Sequence, residues 1–168
     1  MEFVKLQISL DFIQSRTHMS WRDVLFGMNN ELFSPKEATQ LAAQQLGERS
    51  APDPALVDLA ILSDDESGLQ YVQQLAAAEP EEDSDKIQQK WLYLVLAWIL
   101  EHKDNYSDPL GAVEAVYADF GYPKVISQFV RYMPMLDADL GSKQANEGRL
   151  YDKWKSFIED ASVYYRRS

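Results

Sequence analysis

The chain has 168 residues, 46% hydrophobic and 12% aromatic, which is enough apolar mass for one packed domain and excludes whole-chain disorder. It contains no cysteine, so disulfides, thiolate catalysis and sulfur-ligated metals are excluded. Its formal net charge of −11 disfavours direct contact with nucleic acid or an anionic membrane and favours a basic protein partner. The imbalance is local. Residues 1–49 carry six acids and five bases, and residues 86–168 carry eleven of each. The 36 residues from 50 to 85 hold ten acids and no Lys or Arg.

Helix signals follow one another along the chain. Phe3, Leu6, Leu10 and Ile13 recur at helical spacing, while Val4, Leu6, Ile8 and Leu10 alternate as a strand would, so the first ten residues fit either. Ser20 with Asp23 forms an acidic capping box before Trp21, Val24, Leu25 and Phe26. Ser34-Pro35 with Glu37 combines cap, N1 proline and capping box, and Gly47 closes that helix. Asp53-Pro54 opens a helix bearing Leu56, Val57, Leu59, Ala60 and Leu62. The acidic turn Asp64-Asp65-Glu66 leads into Leu69, Val72, Leu75 and Ala76, and residues 79–85 read as a polar linker around Pro80.

From Ser84 the spacing of Ile87, Trp91, Leu94, Val95 and Trp98 predicts the strongest helix of the chain. Its apolar run over 91–100 leaves little polar face, which places Trp91 and Trp98 at the centre of the fold. That run is about half a bilayer crossing. Lys5, Gln7, Ser9 and Asp11 interrupt any secretory apolar segment, so the expected location is the cytoplasm, with no membrane contact. Asp108-Pro109 repeats the cap–proline signal before Leu110, Val113, Val116, Tyr117 and Phe120. Gly121-Tyr122-Pro123 makes a tight break, and Val125, Ile126, Phe129, Val130 and Met133 predict a further helix. A loop holding Gly141 and Gly148 precedes a C-terminal helix with Leu150, Trp154, Phe157, Ile158 and Ala161. The expected fold is all-α, an irregular bundle of about eight helices in a single domain, 1–168.

Catalytic signals are sparse. His18 and His102 are the only histidines, and neither sits in a metal motif. His102 has Asp104 and Asp108 nearby, but it follows a long helix, where a cation suits the dipole. Asp137-Ala-Asp139-Leu-Gly141 begins like a calcium loop, then places Gly141 at the third ligand position, so it reads as a polar loop. No phosphate loop or serine-nucleophile elbow is present. Tyr117, Phe120, Tyr122, Phe129 and Tyr132 lack the interleaved bases that nucleic-acid stacking needs, having only Lys124 and Arg131 among them, and read as core and junction packing with Tyr122 partly exposed.

Two segments carry a family resemblance. Residues Ser20-Trp21-Arg22-Asp23-Val24-Leu25-Phe26-Gly27 form the first. The second is more distinctive, from Asp108-Pro109-Leu110 through Tyr117-Ala118-Asp119-Phe120-Gly121-Tyr122-Pro123 to Phe129-Val130-Arg131-Tyr132-Met133-Pro134. Together they resemble a family of small bacterial proteins of unassigned function, which has no catalytic residues to carry over. The resemblance implies a bacterial cytosolic helical protein. It further implies a gene beside a toxin gene, as in contact-dependent growth inhibition, where the small acidic neighbour is the immunity protein.

The expected function is therefore an immunity protein, or antitoxin, rather than an enzyme. It binds a cognate toxin domain with a basic surface, a nuclease by preference, and occludes its substrate cleft. The expected contact residues are Asp64, Asp65, Glu66, Glu81, Glu82, Asp83, Asp85 and Tyr122, with no cofactor, metal or catalytic residue. Two rival expectations stand beside it. One is a non-catalytic adaptor or oligomeric structural protein whose acidic segment serves solubility. The other is a hydrolase whose carboxylates converge from separate helices.

Overall fold

A computed structural model describes residues 6–48, 53–63, 66–134 and 137–166, and every regular element among them is helical. The fold is all-α, with eight α-helices and two short 3-10 helices among the described residues. Contacts divide the described chain into two units, residues 6–91 and 92–166. No helix among the described residues is long and apolar enough to cross a membrane.

The first unit contains α1 (Leu10–Gln14), α2 (Trp21–Asn29), α3 (Pro35–Leu46), α4 (Pro54–Ala60), α5 (Leu69–Ala77) and the start of α6 (Ser84–Glu101). Helix α3 packs on α1 and α4, and α5 packs on α2 and α4. The N-terminal ambiguity resolves into two pieces. Residues 6–9 are not helical, and the Ile8 N–H donates to the Leu32 carbonyl at 2.9 Å. Ser9 then caps α1 through the Phe12 N–H, which delays the helix to Leu10. Phe3 and Val4 lie outside the described residues.

Helix α2 begins with the expected capping box, as Ser20 Oγ accepts from the Asp23 N–H and Asp23 accepts from the Ser20 N–H. Asp23 is fully buried, and Lys90 from α6 pairs with it at 2.7 Å. The Trp91 indole N–H donates to the Asp23 carbonyl at 2.9 Å. Trp91 also meets Phe33 edge-on, with ring centroids 6.3 Å apart. Gly27 makes room for this ring, since a Cβ there would stand 2.4 Å from Trp91 Cζ2. At α3 the serine cap and N1 proline form as expected, but the capping box does not. Glu37 accepts instead from the Leu10 N–H at 3.1 Å, satisfying an orphan donor at the start of α1.

The second unit holds the rest of α6, a 3-10 helix at Lys103–Asn105, α7 (Pro109–Asp119), a 3-10 helix at Lys124–Phe129, and α8 (Lys143–Arg166). Residues 91–97 are all buried, as the apolar run requires. Trp98 is only half-buried, which corrects its central placement. It stacks on His102 with centroids 4.0 Å apart. His102 Nδ1 lies 2.8 Å from the Trp98 carbonyl. A carbonyl can only accept, so this nitrogen carries the proton and adds a second donor to a carbonyl that already accepts the His102 backbone N–H at 3.0 Å.

Two further corrections concern the C-terminal third. The stripe from Val125 to Met133 is not an α-helix: its first part lies in a six-residue 3-10 helix, Lys124–Phe129, and Val130 to Met133 follow outside any helix. With three residues per turn, Ile126 and Phe129 fall on one buried row while Val125 turns outward and is 56% exposed. Gly148 lies inside α8, which starts five residues earlier, with Ser142 Oγ accepting from the Ala145 N–H. Trp154 is fully buried, its indole N–H donating to the Leu96 carbonyl at 3.2 Å, and it stacks in parallel with Phe129.

Candidate partner-binding surfaces

The acidic segment belongs to the first unit, and the fold treats its ten carboxylates unequally. Asp53 caps α4, accepting from the Ala55 N–H at 2.8 Å. Glu79, read from sequence as linker, is part of a helix terminus far from it in the chain. Its two oxygens accept the N–H groups of Trp21 and Arg22, each at 3.0 Å, at the first two positions of α2. Ser20 serves the third donor. Asp83 precedes α6 and accepts from the Asp85 N–H at 3.0 Å, a favourable place for a negative charge.

Of the expected contact residues, Glu81, Glu82, Asp83 and Asp85 are brought together on one exposed stretch. The side chains of Glu81, Glu82 and Asp85 have no hydrogen-bond or ion-pair partner among the described residues. Glu66 is also exposed and accepts from Ser63 Oγ at 3.3 Å. It borders an open groove of about 500 Å³ with Leu62, Leu69 and Tyr71. Asp64 and Asp65 lie outside the described residues.

Tyr122 belongs to the second unit, where a different surface forms. Gly121 and Tyr122 both have left-handed backbone, with φ of 78° and 61°, and the Tyr122 N–H returns to the Tyr117 carbonyl at 2.8 Å. The turn leaves Tyr122 63% exposed and in edge contact with Tyr117, centroids 5.3 Å apart. Tyr132 is 56% exposed and lies 6.0 Å from the same ring. Tyr117 itself is buried, and its hydroxyl donates to the Met133 sulfur at 3.9 Å. Partial desolvation, then the neighbouring Tyr117, Tyr122 and Glu114, raise the Tyr132 phenol above its ordinary value. The aromatic series thus splits: Tyr117, Phe120 and Phe129 are core, whereas Tyr132 joins Tyr122 at the surface.

Arg131 fixes the segment that carries Tyr132. Its guanidinium makes two bonds to Asp108, at 3.0 and 2.8 Å, one to Glu114 at 2.7 Å and one to Glu147 at 3.4 Å. Hydrogen bonding to Asp108, opposed by desolvation and reinforced by Glu114, raises the arginine further above its ordinary value. The same bond holds the Asp108 carboxyl below the usual range. Asp108 therefore departs from its expected role. It precedes α7, but its carboxylate turns to Arg131 rather than capping the helix. Gly111 permits this, since a Cβ there would lie 2.5 Å from Asp108 Oδ2. No linear signal connects residues 108, 114, 131 and 147, so sequence reasoning missed the cluster.

Among the described residues no group of three or more His, Asp or Glu side chains is arranged to hold a metal. The loop resembling a calcium site is closed by its own bonds: Asp139 Oδ1 accepts from the Gly141 N–H and from Asn146, while Asp137 pairs with Lys153. The chain belongs to a family described as uncharacterized proteins conserved in bacteria (DUF2247), whose pattern matches residues 10–162. No curated protein and no solved structure matches it.

Proposed function

We propose that this bacterial family member is an immunity protein that captures a cognate toxin domain, a nuclease, by laying exposed carboxylates on its basic substrate cleft. The observation that carries the reading is the stretch from Glu81 to Asp85. It presents four exposed carboxylates in five residues, three of them with no hydrogen-bond or ion-pair partner among the described residues. Such a run speeds encounter with a basic surface and repels nucleic acid. The toxin class rests on the resemblance to proteins encoded beside toxin genes, and the acidity supports it independently. The hydrolase alternative meets an unfavourable geometry. The carboxylates that converge from separate elements do so around Arg131, and Asp108 is pushed down, opposite to what a general acid needs.

Stopped-flow association with the toxin domain encoded beside the gene tests the reading. Asp83 caps α6 and Asp85 sits in its first turn, so Glu81→Lys with Glu82→Lys is the cleaner perturbation. The double reversal should slow association about tenfold at low salt while changing dissociation little. The difference should shrink as the Debye length falls from about 10 Å at 0.1 M to about 3 Å at 1 M salt. Lys155→Glu is the control, being exposed, whereas Lys153 pairs with Asp137. An association rate untouched by the reversal would leave the acidic segment a solubilising surface.

A further inference from the structure

We propose that Tyr122 and Tyr132, with the Tyr117 ring between them in the contact chain, form an aromatic receptor for one cationic side chain, a guanidinium or ammonium, presented by a protein partner. Two exposed tyrosines each contact one buried tyrosine, at centroid distances of 5.3 and 6.0 Å. Aromatic faces carry negative potential and attract cations that approach within about 6 Å. The central ring is anchored by its hydroxyl on the Met133 sulfur, and Tyr132 follows directly on the clamped Arg131.

Charge and strain favour the same occupant. Glu114 lies three residues before Tyr117 on α7, its side chain 26% exposed, and it bears electrostatically on Tyr132. Asp108, Glu114 and Glu147 surround a single guanidinium, and Lys143 also acts on Asp108, so three negative charges against two positive leave a net −1 at the cluster beside the rings. A nucleobase fits this surface poorly. Lys124 and Arg131 are the only bases between Tyr117 and Pro134, and Arg131 is already held. Tyr122 also occupies left-handed backbone that glycine or asparagine adopts at less cost, although its side chain is mostly in water. Burial does not account for an aromatic held there, and a ligand would.

This inference goes beyond the acidic docking at residues 81–85 and needs no toxin for its test. The full chain, with ¹³C-labelled tyrosine rings, is titrated with an arginine-rich peptide and with the same peptide carrying neutral citrulline at every arginine. The arginine peptide should move the Tyr122 and Tyr132 signals, and the citrulline peptide should not. Tyr122→Leu or Tyr132→Leu should weaken binding about fivefold, while the Phe variants stay within about twofold because the ring face remains. Urea midpoints confirm that the Leu variants are folded. Equal ring shifts with citrulline, or Leu variants that bind as wild type, overturn the receptor. Shifts of the same rings by oligothymidylate overturn it in favour of base stacking. If the peptide binds without moving these rings, the receptor fails and the acidic docking stands. If the rings move but Glu81→Lys with Glu82→Lys changes nothing, the docking fails and the receptor stands. No binding at all overturns the receptor, while the acidic docking is judged by the toxin association rate.

Discussion

Replacing Glu79 by alanine separates a linker carboxylate from a structural one. The native side chain accepts two backbone N–H groups, from Trp21 and Arg22, each at 3.0 Å. Hydrogen bonds to a charged group contribute about 1.5–3 kcal/mol when sheltered. Glu79 is half-buried, and water can reach the freed donors, so about 1 kcal/mol per bond is the better figure. The favourable placement of a negative charge at the start of α2 adds about 0.3–1 kcal/mol. Glu79→Ala should therefore destabilise the protein by about 2–3 kcal/mol, a large fraction of the 5–15 kcal/mol typical of a domain. Glu79→Gln keeps one acceptor oxygen and should lose about 1–2 kcal/mol. Glu81→Ala and Glu82→Ala, two and three residues further on and exposed, should stay within about 0.5 kcal/mol of wild type. Urea unfolding followed by circular dichroism reads these as shifts in midpoint at constant slope. If Glu79→Ala falls within about 0.5 kcal/mol of Glu81→Ala, the long-range cap does not hold α2.

Three other outcomes follow from the same reasoning. Trp91→Ala should cost about 3–5 kcal/mol in denaturant unfolding, whereas half-buried Trp98→Ala should cost about 1–2 kcal/mol; equal losses would contradict the packing. Gly148→Ala should stabilise by about 1 kcal/mol, because the position is interior to α8 and an added Cβ meets nothing within 4 Å; a lowered melting temperature would argue against helix there. Arg131 depresses the folded Asp108 carboxyl, so its contribution is fully present above the unfolded value of about 3.9 and is lost as pH falls through the folded value. Asp108 is 55% exposed, so Asp108→Asn should lower stability by only about 0.5 kcal/mol at neutral pH. That difference should vanish in acid, as a stability–pH series would show.

Local chemistry was legible wherever a residue acts on its own neighbours. The serine caps at Ser20 and Ser34, the proline starts at Pro35, Pro54 and Pro109, and the buried run over 91–97 follow from spacing alone, because capping and helical periodicity are short-range. Periodicity failed at Val125, where α and 3-10 geometry put the same residue on different faces and a six-residue stripe is too short to distinguish them. The exposed acids at 81–85 could be read from composition, while the surface position of Tyr132 could not, since its pattern matched that of a core aromatic.

Composition, capping and period thus determined by themselves that this chain folds as helices and carries its excess charge in one segment. Each of those properties belongs to a residue and its neighbours within a turn or two. Tertiary structure alone decided which carboxylates remain available. Glu37 and Glu79 resemble Glu81 in sequence, yet they are drawn 27 and 58 residues away to helix starts. Asp108 leaves its own helix for Arg131, 23 residues on. A helix terminus leaves donors unsatisfied whatever the sequence around it, and the nearest charged oxygen in space, rather than along the chain, fills them.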